Sequence, residues 1–288
     1  MLAIYKKEFK SYFNSMMGYV FIAFVLVAVG IYFSAYNLGM GYPLMSITLS
    51  SVTFLFLILV PILTMRSLSE EQRNKTDQLL FTSPVSIWSI VFGKYLALIS
   101  VFAIPVLVIC LYPAVLSEYG TVDMGMAYLA ILGFFLLGCA YISIGLFISS
   151  ITESQIIAAV ISFAVLLVTY LISGIAGFFA DTAITSLLAF TVLLFVFCLI
   201  YYVMAKNVAA SAIVFVVVEA LLIVAYILKK TSFEGAIASA LNTLDLAAAS
   251  TNMIQNGILD ITDIVYYISV IGLFLFFTVQ SIQKKRWS

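Results

Sequence analysis

Eight stretches of this chain are apolar enough to cross a lipid bilayer, and that removes most folds from consideration. A spanning helix needs about 20 consecutive apolar residues. Such runs occupy 18–36, 47–65, 92–116, 126–150, 155–177, 183–205, 208–228 and 262–282. Six are clear. The pair 183–205 and 208–228 is divided only by a short step at Lys206-Asn207, so it reads either as two further spans or as a re-entrant or interfacial hairpin. The expected fold is all-α and polytopic, in a single transmembrane domain over 1–288. Composition agrees: 9% of residues are charged, where a water-soluble domain carries about 25%.

The same numbers exclude several functions. Net charge is zero, so nothing draws the chain to nucleic acid. There is no histidine, which removes His-based triads and most zinc sites. Cys110, Cys139 and Cys198 lie inside apolar runs without a CxxC pairing, and read as small buried hydrophobes. The first apolar run is too long for a signal peptide and lacks a small-residue cleavage site.

Lysine and arginine fix the expected orientation. With the N-terminus in the cytoplasm and eight spans, the inside holds Lys6, Lys7, Lys10, Arg66, Arg73, Lys75, Lys94, Lys206, Lys284, Lys285 and Arg286. The outside holds Lys229 and Lys230. Both termini are therefore expected in the cytoplasm. Over 2–13, helix geometry gathers Leu2, Tyr5, Phe9, Tyr12 and Phe13 on one arc and Lys6, Lys7 and Lys10 on another, as suits a helix lying on the inner membrane surface. A plain basic flank is the alternative. The outer segment 229–261 is expected to hold a weakly amphipathic helix packed on the outer ends of the spans.

Charge is concentrated between the second and third spans, in "RSLSEEQRNKTDQLLFTSP" (66–84). Ser67 with Glu70, and Ser69 with Gln72, have capping-box spacing, and Glu70 and Glu71 favour the positive end of a helix. Glu71–Lys75 and Arg73–Asp77 are i,i+4 opposite-charge pairs, worth about 0.2–0.5 kcal/mol each. These signals predict a helix over 68–81, stopped by Pro84, with Lys94 near the membrane boundary. A connector between antiparallel spans needs only a handful of residues, whereas 66–91 is far longer. It reads either as a protrusion for a partner's groove or as a solvated loop.

The string "PILTMRSLSEEQRNKTDQLLFTSPVSIWSIVFGKYLA" resembles the region after the second span of ABC-2-type exporter permeases, most closely the gliding-motility branch. The shared pattern is Pro61, Thr64, Met65, Arg66, Glu70, Glu71, Thr76, Leu79, Leu80, Pro84 and Gly93-Lys94. The opening "YKKEFKSYFNSMMGYVFIA" and the closing "NGILDITDIVYYISVIGLFLFFTVQSIQKKRW" are similar to that family's interfacial helix and last span. The resemblance covers about 1–177 and 245–287. The family usually has six spans, so 183–228 is an addition.

The resemblance implies a non-catalytic membrane subunit working as a pair, homo- or heterodimeric, with two copies of a cytoplasmic ABC ATPase. ATP and magnesium would sit on that partner and no cofactor on this chain. The loop after span two would be a coupling helix, with Glu70, Glu71, Arg73, Lys75, Thr76, Leu79 and Leu80 as its ATPase-contacting surface. The implied setting is the lipid of a bacterial cytoplasmic membrane. Gliding-branch relatives also suggest a membrane-anchored accessory subunit. The chain's own Gly-Lys pair, "GKY" at 93–95, lacks the rest of a phosphate-cradling loop.

Within the spans, Glu219 is the one acid near a midpoint. A lone charge there costs at least about 2.5–3.5 kcal/mol, so it is either a pathway or proton-linked group, or hydrogen-bonded to a neighbouring helix. It underlies the alternative reading, an ion-coupled secondary transporter. Against that stand the single acid and the lack of a visible inverted repeat. An intramembrane enzyme lacks HExxH and paired carboxylates. Pro61, Pro105 and Pro113 are candidate kinks, and Gly145 with Ser149 permits close helix packing.

Overall fold

The computed structural model describes residues 1–76, 85–178, 182–205, 208–229 and 233–287. Every regular element among them is helical. Helix α1 (Leu2–Asn14) turns at Met16, which has a left-handed φ of 57°, into α2 (Met17–Tyr32). This helix continues as a π-helical stretch over Phe33–Gly39. Then come α3 (Met45–Thr53), α4 (Phe56–Thr64) and the short α5 (Ser69–Arg73). They are followed by α6 (Ile87–Ile109), α7 (Tyr112–Ser117), α8 (Met124–Ile151) and α9 (Gln155–Ala176). The remainder is α10 (Ala183–Ala205), α11 (Val208–Leu228), α12 (Ala236–Thr243), α13 (Leu246–Ile254) and α14 (Ile261–Trp287).

Among the described residues, five helical stretches are long and apolar enough to span: Met17–Gly39, Ile87–Ser117, Met124–Ile151, Gln155–Ala176 and Ile261–Lys285. A sixth is the pair Met45–Thr53 and Phe56–Arg73, bent by 60°. These six are the clear spans of the sequence. Helices α10 and α11, of 23 and 21 residues, occupy the uncertain pair. Their described apolar stretches are Ala183–Val192 and Phe215–Leu228.

The bend in the second span lies at Phe54–Leu55, not at Pro61, which stays inside α4. Proline lacks the N–H that would reach back four residues, and its ring crowds the carbonyl there, so distortion falls on the preceding turn. That turn is tightened: the amides of Leu57 and Ile58 donate to Phe54 and Leu55 three residues back. In the third span Pro105 is likewise accommodated within α6, and the break comes at Cys110–Leu111, where Pro113 opens α7.

The chain forms two compact units, Met1–Val168 with Ala249–Ser288, and Thr169–Ala248. The first is built around α8, whose apolar window is 78% buried. Phe56, Phe102, Phe134 and Tyr141 form an aromatic cluster on it, with Phe56 and Phe134 at 4.6 Å between ring centres. Such pairs add about 0.5–1.5 kcal/mol each beyond area burial. Two glycines let neighbours touch the α8 backbone. A Cβ on Gly138 would lie 2.4 Å from the Phe102 ring, and one on Gly145 2.3 Å from the Thr64 hydroxyl.

In the second unit α10 and α11 pair, and Phe233 meets Phe190 and Tyr226 edge-on. The outer segment, expected to hold one helix, holds two. Asp245 breaks it, its carboxylate accepting from the amides of Ala247 and Ala248 to start α13. Nor does the segment stop at the helix tips: within the first unit, Met253 and Ile254 cover Gly133. That glycine lies about 13 Å along α8 from Met124, at 1.5 Å per residue.

Gly145→Ala should destabilise the detergent-solubilised protein by about 1–3 kcal/mol through overpacking against Thr64. A thermal melt would register it. Gly272→Ala, where a Cβ meets nothing within 4 Å, should leave the midpoint unchanged or raise it.

Candidate functional site

The charges scattered along the sequence converge at one end of the first unit. Gly93 permits the first step, since a Cβ there would sit 3.2 Å from Ile4. Helix α1 therefore lies directly on α6, and Tyr5 donates to the Ser100 hydroxyl at 3.1 Å. At its other end the buried Tyr12 donates to the carbonyl of Leu63 at 3.1 Å. Burial, reinforced by Glu8, raises the Tyr12 pKa, which keeps this donor protonated.

The next residue, Lys94, is 1% exposed. Its ammonium lies 2.9 Å from Glu8 of α1, 2.9 Å from Glu71 of α5, and 2.8 Å from the carbonyl of Ser67. Three donors thus meet three acceptors from two chain segments, α1 and the stretch 67–71, which is the arrangement a buried ammonium requires. Lys94 was expected merely at a membrane boundary; it is instead the cation at the centre of this end. Two carboxylates around one ammonium would leave an excess negative charge, and Lys7 offsets it, 3.5 Å from Glu71. Lys7 is well exposed, so this outer pair contributes little.

These contacts shape the charged loop differently from its local sequence signals. The expected helix 68–81 ends, in its described part, at Arg73, and Lys75 adopts a left-handed φ of 54°. Residues 77–84, with Asp77, Leu79, Leu80 and Pro84, lie outside the described residues. Neither capping box forms. Leu68 is the N-cap, and the hydroxyl of Ser69 donates back to Met65. The Ser149 hydroxyl of α8 instead accepts from the amides of Leu68 and Ser69, at 3.1 and 3.2 Å. A tertiary partner has taken the place of the local cap. Glu71, expected to pair with Lys75, faces Lys94, and Glu70 pairs with Arg66.

A second fastening lies beside the first. The Gln72 side-chain amide donates to the carbonyl of Ser150 at 2.8 Å. Lys285 of α14 reaches the Gln72 oxygen at 2.7 Å and the Ser150 carbonyl at 2.8 Å. It also donates to Ile151 at 3.4 Å, so an ammonium sits at the negative end of α8.

Between α1 and the loop lies a solvent-open cleft of about 210 Å³, with Lys7, Glu8, Tyr12, Arg66, Glu70 and Glu71 on its walls. Of the residues assigned to a partner contact, Glu70, Glu71 and Thr76 come together on this cleft. Arg73 and Lys75 are exposed beyond it, while the Glu71 side chain, 13% exposed, is held inward. Residues that sequence reasoning passed over, Glu8, Gln72, Lys94, Ser149 and Lys285, hold the loop in place. One signal was available for Glu8: it is the sole acid before Glu70.

Glu219 is remote in sequence and belongs to the second unit. Thr191 of α10 donates to its Oε1 at 2.9 Å, and its Oε2 is buried without a partner among the described residues. The hydrogen bond to a neighbouring helix is thus present for one oxygen.

Residues 2–188 match the model of a protein family described as ABC-2 family transporter protein. The match takes in α1, the charged loop, α6 and α8, and stops within α10. A search of curated proteins finds no match.

Lys94→Met should strand Glu8 and Glu71 together and cost about 3–5 kcal/mol, as breaking a buried ion pair does. A fluorescence melt in detergent would measure it. Adding Glu8→Gln and Glu71→Gln to Lys94→Met should recover much of that loss, because no uncompensated charge is then left.

Proposed function

This chain belongs to the ABC-2 family of transporter proteins, and from that premise we propose that it is driven by a separate cytoplasmic ATPase. It is a multi-pass membrane protein and a permease component of an exporter. On our reading the charged end faces the cytoplasm of a bacterial cell, two permease copies form the pathway, and two ATPases dock beneath them. ATP and magnesium are held by the ATPases.

The observation that carries this reading is the way α5 is held. Five residues, Ser69–Arg73, are tied to α1 and α6 through Glu71 and Lys94 and to α8 through Ser149 and Ser150. A further tie runs to α14 through Lys285. A solvated connector needs no such anchorage. A lever does, because a push on its tip moves the spans only if its base is rigidly fixed to them. The acids belong to the base: Glu71 is part of the fixing, and Glu70 lines the cleft edge. Arg73, Lys75 and Thr76, with Leu79 and Leu80 beyond, supply the face offered to the ATPase.

The orientation is supported by the same geometry. Lys7, Arg66, Lys94 and Lys285 take part in one set of contacts at one end of the bundle. These are residues that the positive-inside rule assigns to the cytoplasm. The cargo is a molecule of unassigned chemistry, with an amphiphile suited to apolar, aromatic spans. The gliding-motility branch, with its accessory subunit, is the finer assignment that the loop motif favours.

Affinity purification from native membranes in mild detergent should recover a nucleotide-binding subunit with the wild-type chain. Leu79→Pro should abolish that recovery while membrane insertion is retained. Full activity of the chain reconstituted alone, without a nucleotide hydrolyser, would overturn the proposal, as would labelling of Lys75→Cys from outside the cell.

A further inference from the structure

The clasp at Gln72 is separate from the Lys94 centre and joins chain segments that the charged motif does not contain. Lys285 lies in the last turns of α14, more than 200 residues from Gln72. We propose that Lys285 is a positioning residue that transmits movement of the loop to the last span. The inference rests on the lever reading above and goes beyond it, because it assigns α14 a driven role and names the contact that drives it.

The geometry favours a transmitting contact over a passive one for three reasons. First, Lys285 donates to three neutral acceptors, the Gln72 side-chain oxygen and the main-chain carbonyls of Ser150 and Ile151. Charge-assisted bonds of this kind are short and directional. Second, the clasp is closed. Gln72 donates to the same Ser150 carbonyl that accepts from Lys285, so the side chains of α5 and α14 share one acceptor on α8. The Ser281 hydroxyl, one turn earlier in α14, also points to that carbonyl at 3.4 Å.

Third, among the described residues this contact is the hydrogen-bonded tie between α14 and the loop. The Lys94 centre reaches α1, α5 and α6 but no residue of α14. Along its length α14 packs mainly on α8 and α6, with Tyr267, Leu275, Val279 and Ile282 buried. If the loop is displaced, α14 therefore follows through Gln72 and Lys285, or as far as α8 and α6 carry it. Removing the ammonium separates these two routes. It leaves Gln72 on Ser150 and cuts the branch to α14.

Hydrogen–deuterium exchange on the full chain tests this without knowledge of the cargo. In the chain alone, Lys285→Met should speed exchange over residues 69–76 by about fivefold, equivalent to about 1 kcal/mol of lost local protection. Lys285→Arg should restore protection, and Lys284→Met should leave it unchanged. Unaltered exchange in Lys285→Met would overturn the clasp, whether or not an ATPase partner exists.

In the complex with its ATPase, ATP binding should change exchange in both 69–76 and 278–285 of the wild type. In Lys285→Met the loop should still respond and 278–285 should not. An undiminished response of 278–285 would overturn the transmitting role. Absence of any ATPase in the wild-type preparation would instead count against the lever reading, leaving the first measurement to judge the contact by itself.

Discussion

One buried ammonium organises the end of this protein that faces its work. Lys94 projects from an otherwise apolar helix into a space shared by α1, α5 and the chain just before α5. A charge so enclosed is tolerated only when every donor is met. The acceptors come from Glu8 on α1 and from Ser67 and Glu71 in the loop, two stretches far apart in sequence, so satisfying Lys94 fixes both relative to α6. Gly93 allows the close approach of α1 that brings Glu8 here, since a Cβ there would sit 3.2 Å from Ile4 and 3.3 Å from the Met1 carbonyl. The adjacent Gly93-Lys94 thus has a physical reason: the glycine admits the helix and the lysine binds it.

The loop owes its form to this arrangement more than to its own helix signals. Capping boxes and i,i+4 pairs are worth a few tenths of a kcal/mol to about one. Glu71 and Gln72 were taken by tertiary partners, and Ser69 and Glu70 by Met65 and Arg66, while Asp77, the expected partner of Arg73, lies outside the described residues. Ser149 caps the amides of Leu68 and Ser69 at the start of α5, and Lys94 takes the carboxylate that Lys75 was spaced to take. A short element with a fixed base is the outcome. Among the described residues the exposed cations Arg73 and Lys75 form no ion pair, whereas the acids are turned to structural use.

Much of this was legible before the structure. The six clear spans were visible as apolar runs, and α10 and α11 begin and end where the runs 183–205 and 208–228 do. The importance of the loop was legible from its charge density, and the family from its motif. Other features were not. The bend of the second span was displaced from Pro61 because proline perturbs the turn before it. The outer segment divided in two because Asp245 can cap a new helix, a use of a single polar side chain that a window of average hydropathy smooths away. Lys94 looked like a boundary residue because its counter-charges lie in other segments.

Sequence by itself determined that this chain lives in a membrane, where its six clear apolar runs lie, and which loop carries its charge. Those follow from hydrophobicity and the positive-inside rule, which act residue by residue and need no knowledge of neighbours. Only the tertiary structure decided which charges face each other, and hence that Glu71 is an anchor, that Ser149 is a cap, and that Lys285 touches Gln72. Pairing energies depend on distance and burial, and neither quantity exists until helices far apart in the chain have been brought side by side.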